Sequence, residues 1–156
     1  MIGEQQDPVP TSLRVGGEND ELRRRLDDEL TAFNAAATGA GEPAEFSVDV
    51  TDDAGDLVAG LTGWIWGTLC AVDMLWVRED RRHAGRGRRL MRAAEAEGAR
   101  RGCTDMVVPS FAFQAPGFYR GLGFRETGRT EGIPGGHHDV HFHKPVRAAP
   151  GPVPAT

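Results

Sequence analysis

Seven arginines, Arg78, Arg81, Arg82, Arg86, Arg88, Arg89 and Arg92, stand between positions 78 and 92 of a chain whose formal net charge is -5. So local a cluster of cations suits a small polyanionic ligand; a general nucleic-acid binder needs a surplus of Lys and Arg along its surface. Gly85 and Gly87 lie among these arginines, after an apolar stretch that ends in Val77 and at the start of a helical pattern. Where a strand turns into a helix, the N–H groups of the turn and of the first helical turn lack intrahelical acceptors, and the helix dipole there favours negative charge. Arg82, His83, Ala84, Gly85, Arg86, Gly87 and Arg88 could therefore cradle a phosphate or pyrophosphate, the glycines letting oxygens approach without meeting a Cβ. An ordinary strand-to-helix connection is the competing reading. Two other phosphate loops do not fit. A dinucleotide turn needs Gly or Ala at position 90, where Leu90 stands, and a triphosphate loop needs a Gly-Lys-Ser or Gly-Lys-Thr, whereas Lys144 is the sole lysine.

Other residues could carry chemistry. Asp73 interrupts an otherwise apolar strand over 68–77, and regular alternation places it on the face of Leu75 and Val77. Burial there would make it a better base, and pairing with an arginine is the structural alternative. Ser110 has no neighbouring His and Asp to form a hydrolase triad. Cys70 and Cys103 have no metal-ligand spacing and read as small buried apolar residues. His137, Asp139, His141 and His143 share one strand face, yet i and i+2 positions lie about 7 Å apart, too far for the four to close on one ion without bending. No metal is expected.

These groups must be held by a fold. At 156 residues, 39% hydrophobic and 26% charged, the chain has the composition of a soluble globular protein. No apolar run reaches membrane-span length and the first residues do not resemble a signal peptide, so a cytoplasmic location without membrane attachment is the default expectation. One domain is expected over 12–146, with flexible termini at 1–11 and 147–156 rich in polar residues, Ala, Gly and Pro. Leu22, Leu26, Leu30, Phe33 and Ala37 predict an amphipathic helix over Asp20–Thr38, with Asn19 or Asp20 as N-cap and Gly39 as stop. A hairpin follows, 45–51 and Leu57–Trp66, then the strand 68–77, a helix over 86–101 and a strand over 105–109. A short helix over 112–120, an extended stretch near Phe124 and a last strand over 138–146 complete the pattern. The expected order is strand, helix, three strands, helix, strand, helix, two strands.

Arg82-His83-Ala84-Gly85-Arg86-Gly87 matches the Arg/Gln-x-x-Gly-x-Gly/Ala signature of the GNAT acetyltransferases. Gln114-Ala115-Pro116-Gly117-Phe118-Tyr119-Arg120-Gly121-Leu122-Gly123-Phe124 is similar to the same family's second motif, a helix ending in Phe-Tyr-x-x-Leu-Gly-Phe. Both motifs occur in order with a strand between them, and the resemblance extends over about 12–146. It implies an α/β (α+β) GNAT fold: a mixed sheet of about six or seven strands with about four helices, splayed between the strands at 68–77 and 105–109. Acetyl-CoA would enter that cleft as co-substrate, its pantetheine pairing with the backbone of Leu75, Trp76 and Val77 and its pyrophosphate resting on Arg82 to Arg88.

The resemblance further implies direct transfer to a neutral amine. A free alkyl ammonium, with pKa near 10, must first lose a proton, and Asp73 is the candidate base. Tyr119 matches the family's usual general acid, Gln114 sits where related proteins place a cofactor-binding amide, and the Val77 N–H could stabilise developing negative charge. His137, with Asp139 on the same strand, is expected near the acceptor. Trp64 and Trp66 could wall that pocket, although core packing suits them too. The implied acceptor is a small-molecule amine, with peptide or protein amines as the nearest variant; a homodimer is compatible and no nucleic-acid partner is expected. From another class, a catalytically silent acyl-CoA-binding sensor would keep the cradle without turnover.

Overall fold

The computed structural model describes residues 12–147, and their contacts group into two compact units, one ending at Gly41 and one beginning at Glu42. The expectation of loose ends falls, apart from Arg147, outside the described residues. The first unit contains helix α1, Asp20–Thr38. Its N-cap is Asn19, whose side-chain oxygen accepts from the Leu22 N–H at 2.9 Å, and Gly39 closes it in the left-handed region at φ 65°. Among the described residues no strand precedes α1: Leu13 and Val15 alternate too briefly before Gly16 and Gly17.

The second unit runs β1 (Ala44–Thr51), β2 (Leu57–Trp66), β3 (Leu69–Val77), a 3₁₀ turn (Glu79–Arg81), α2 (Arg86–Arg100), β4 (Asp105–Phe111), α3 (Pro116–Gly121), β5 (Arg125–Ile133) and β6 (His137–Pro145). The six strands form one mixed sheet in the order β1-β2-β3-β4-β6-β5, antiparallel except for β3 and β4. With three α-helices and the 3₁₀ turn, this is the mixed α+β architecture expected from the sequence. The strand least visible beforehand is β5: none of its residues is buried, so no apolar alternation marks it, and pairing with β6 creates it.

One sheet face carries the core. Cys70, Val72, Met106, Val108, Val140 and Phe142 are buried there, with Leu90, Met91 and Ala94 of α2 and with Tyr119 and Phe124. Gly98 lets α2 approach closely, since a Cβ on it would lie 3.3 Å from that of Cys70. Burial pushes the Cys70 thiol up to about 12 and raises that of Cys103, as expected for cysteines serving as apolar filling.

A β-bulge decides which residues of β3 face this core. Ile65 pairs with Cys70 and Gly63 with Val72, but Thr62 pairs with Met74, leaving Asp73 as the extra residue. Beyond the bulge Leu61 meets Leu75 and Ala59 meets Val77, so Leu75 and Val77 join the core face. Asp73 instead lies on the opposite face beside Trp64, whose indole N–H donates to its Oδ1 at 3.1 Å, and it is exposed. The expectation that Asp73 is buried and shares a face with Leu75 and Val77 is thus corrected: period-two alternation fails where one residue is inserted. Gly63 makes the bulge possible, because a Cβ there would come within 2.2 Å of the Ala71 carbonyl oxygen and 3.0 Å of the Phe46 ring. Gly63→Ala is expected to destabilise the unit by at least about 1–3 kcal/mol, measured by chemical denaturation; wild-type stability would show that the bulge relaxes freely.

Candidate active site

Parallel strands β3 and β4 pair only over Leu69–Ala71 and Asp105–Val107. Past these pairs the strands separate, Asp73 bulging on one side and Pro109, which has no N–H, standing on the other. The cleft opens toward the C-terminal ends of both strands. On its β3 edge the Arg78 N–H donates to the Val58 carbonyl of β2. Alternation along the strand then turns the backbone groups of Trp76 toward Gly60 of β2 and those of Leu75 and Val77 into the cleft. The Arg82 guanidinium donates to the Val77 carbonyl at 3.1 Å, and among the described residues Leu75 and the Val77 N–H have no other partner at this edge.

At the mouth of the cleft, the chain turns from β3 into α2. His83 (φ 63°) and Gly85 (φ 72°) are both left-handed, and Gly85 is the N-cap without a capping side chain. The first helical bond is Arg89 N–H to the Gly85 carbonyl. Every backbone N–H from His83 to Arg88 is therefore without an acceptor among the described residues, giving an arc of six donors at a positive helix end. Such an arc is an anion site, and successive donors of this kind suit a pyrophosphate.

The arginines around it divide by task. Arg78 binds Asp80 at 2.8 Å and Asp52 at 3.3 Å, Arg81 also holds Asp80 at 3.2 Å, and Arg86 donates to the Arg81 carbonyl at 3.1 Å, all of which fix the turn. The side chains of Arg88, Arg89 and Arg92 have no hydrogen bond or ion pair among the described residues.

Helix α3 is tied to this arc. A Cβ on Gly87 would lie 3.2 Å from the Phe118 ring and 3.9 Å from the Leu75 side chain, so glycine is what lets α2, α3 and β3 meet. Next to Phe118, Tyr119 packs its ring against those of Phe118, Phe124 and Phe142 at centroid distances of 5.1, 6.0 and 5.7 Å. Burial raises the Tyr119 phenol above its ordinary value, and its hydroxyl has no hydrogen-bond partner among the described residues. Arg120 reaches Glu126 at 2.9 Å and Arg129 binds the same carboxylate, which anchors α3 to β5. These two guanidiniums, Arg129 foremost, hold Glu126 down to about 2. Gln114 is engaged locally: its Oε1 accepts from the Phe111 N–H at 3.1 Å and its N–H donates to the Phe111 carbonyl at 2.8 Å. Only its amide NH₂ is left to point elsewhere.

At the same open end, β6 begins with His137. Phe111 and Phe113 stack at 5.5 Å, and the His137 ring meets Phe113 edge-on at 5.0 Å. Asp139 sits opposite Phe111 in the ladder, with a buried Oδ1 that has no hydrogen-bond partner among the described residues. His141 lies between Thr130 at 3.2 Å and the Asp139 Oδ2 at 3.9 Å, and His143 is drawn to Asp105 at 2.7 Å. The structure thus places His137 and Asp139 together with two aromatic rings that the sequence reading did not single out. Their signal was there: Phe-x-Phe immediately before the Gln-Ala-Pro-Gly turn, at the end of a strand that borders a cleft.

A splayed parallel pair with an N–H arc at the strand-to-helix turn defines an acyl-CoA-dependent transferase fold, and comparison with known proteins agrees. Residues 45–126 match the Acetyltransferase (GNAT) domain family. Blasticidin-S acetyltransferase of Streptomyces morookaense is 39% identical over 98 residues, spanning 62% of this chain and 72% of that protein. Among solved structures, an acetyltransferase from Bacillus cereus ATCC 14579 superimposes with a TM-score of 0.76 at 28% identity over 86% of this chain and 98% of that one. A Bacillus anthracis protein solved in complex with acetyl coenzyme A shares the fold at a TM-score of 0.59 and 13% identity, over 67% of this chain and 64% of its own. The chain belongs to the GNAT acetyltransferase family and is an acyltransferase.

Proposed function

We propose that this enzyme moves the acetyl group of acetyl-CoA onto a primary amine of a small molecule by direct attack. The observation that carries the reading is the six-donor arc at the mouth of a cleft whose β3 edge still offers Leu75 and the Val77 N–H. The blasticidin-S relative supports a small-molecule acceptor. When bound, acetyl-CoA supplies the activated acyl group as a thioester. Backbone donors from His83 to Arg88 would hold its pyrophosphate, with the Arg82 side chain bracing the Val77 carbonyl beside it. Leu75 would pair with the pantetheine, the Gln114 amide NH₂ would remain available to the same arm, and the Val77 N–H would face negative charge building on the carbonyl oxygen.

Acceptor and proton traffic are assigned to side chains on both sides of the cleft. Asp73 would take the ammonium proton, Tyr119 would give one to the departing thiolate, and Phe111, Phe113, His137 and Asp139 would border the acceptor. The unpartnered Asp139 oxygen suits a cationic or hydrogen-bond-donating group. Asp73→Asn keeps the side-chain shape and is expected to bind acetyl-CoA normally while losing the acidic limb of the rate profile. A normal pH profile in that variant would remove Asp73 from the mechanism. The function itself is tested by release of CoA thiol from acetyl-CoA with a panel of amines, with mass detection of the acetylated product. Buried Cys70 and Cys103 contribute no background to that assay in the folded protein. Binding without turnover across the panel would favour a silent sensor.

A further inference from the structure

Helix α1 carries Leu22, Leu26, Leu30 and Phe33 on one face, each more than half exposed, and none of its residues is buried. At about 100° per residue the four fall within about 80° of one another, a stripe of the kind that seats a helix on a partner. A helix of 19 residues owes little of its stability to propensity and gains it by covering such a face. The charges beside the stripe are ordered. Arg23 and Asp27 flank it on one side, Arg25 and Glu29 on the other. Along the chain Arg23, Arg24 and Arg25 precede Leu26, and Asp27, Asp28 and Glu29 follow it, with Leu22 and Leu30 placed symmetrically about the same centre.

We infer that α1 is an interface between two copies of this chain, the helices packing antiparallel about a two-fold axis at Leu26. In that arrangement Leu26 meets Leu26 of the second copy, and Leu22 comes level with its Leu30. Rotation about the axis keeps each flank on its own side. Arg23 therefore approaches the second copy's Asp27 along one flank, and Arg25 approaches its Glu29 along the other, each pair occurring twice. Arg25 and Glu29 already pair within one helix at 2.7 Å, so a second copy extends that pair into an alternating row of charges. A parallel pair would exchange the flanks, bringing Arg23 towards the second copy's Arg25 and Asp27 towards its Glu29. Like charges facing across a helix pair select against that orientation. Nothing in this pairing draws on the cleft or on acetyl transfer.

Sedimentation velocity of the full chain over a range of concentrations tests this. The wild type is expected to pass from monomer to dimer as concentration rises. Leu26→Asp, which sets two carboxylates against each other at the axis, should weaken the dimer at least about a hundredfold, the scale of two lost leucine contacts. Arg25→Glu alone should weaken it roughly tenfold. Arg25→Glu combined with Glu29→Arg should restore it, because the flanking pairs are then reversed and the apolar stripe is untouched. Circular dichroism checks that each variant keeps its helix content. A wild type that stays monomeric at every concentration would overturn the interface, and lost thermal stability in a monomeric Leu26→Asp would then give the stripe to the protein's own chain. A dimer that survives Leu26→Asp would place the interface elsewhere and overturn it as well. Failure of the double variant to regain affinity would reject the antiparallel pairing.

Discussion

Gly85→Asp is expected to abolish the stabilisation that acetyl-CoA gives the wild type, roughly 2.7 kcal/mol at a hundredfold excess over its dissociation constant. The wild-type N-cap has no side chain to offer the helix, so the N–H groups that follow it are left for a ligand. A carboxylate at position 85 would accept from those N–H groups and place negative charge where the pyrophosphate must sit. Nothing lies within 4 Å of a Cβ built on Gly85, so the substitution meets no steric barrier. The left-handed backbone there is one that Asp and Asn tolerate better than other residues. Gly85→Asn has the same size without the charge and should keep part of the stabilisation. Thermal unfolding of the three proteins with and without acetyl-CoA decides the matter, and an undiminished shift in Gly85→Asp would reject the arc as the cofactor's seat.

Tyr119→Phe should lower turnover by about 10² to 10⁴, the usual worth of general acid catalysis, with little change in acetyl-CoA affinity. Only the hydroxyl is removed, and the ring contacts with Phe118, Phe124 and Phe142 survive, so the fold should survive as well. Burial raises the Tyr119 phenol above the ordinary value of about 10, which keeps it protonated throughout the neutral range. The sign follows: a raised phenol remains a proton donor as pH increases through neutrality and is lost only when pH passes its elevated value. The wild type should accordingly show no decline attributable to Tyr119 below about pH 10. Wild-type turnover in Tyr119→Phe would reduce Tyr119 to a packing residue.

Local signals made much of this legible. The arc needs only a strand, two glycines and a helix start in sequence, so His83 to Arg88 could be read from spacing alone, as could α1 with its Asn19 cap and Gly39 stop. Helix α3 and its Phe-Tyr pair were likewise marked by a contiguous motif. Strand β5 was not, because its residues stay outside the core and only the ladder with β6 makes them a strand. The face of Asp73 was hidden for a different reason. Alternation is a property of one strand, but a bulge is a property of two, and it is the collision that any side chain at position 63 would have with Ala71 and Phe46 that sets the register.

By itself, then, the sequence determined the family and the backbone turn that faces an anion, since both rest on motifs of residues close together in the chain. Only the tertiary structure decided which side chains meet. It brought Phe111, Phe113, His137 and Asp139 to one end of the cleft through the antiparallel register of β4 and β6, and it turned Asp73 onto the Trp64 face. It also left Arg88 and Arg92 without carboxylates by assigning Glu95 to Lys144 across the sequence. Such pairings are fixed by packing and by which partner is within reach, and neither can be read from spacing along one chain.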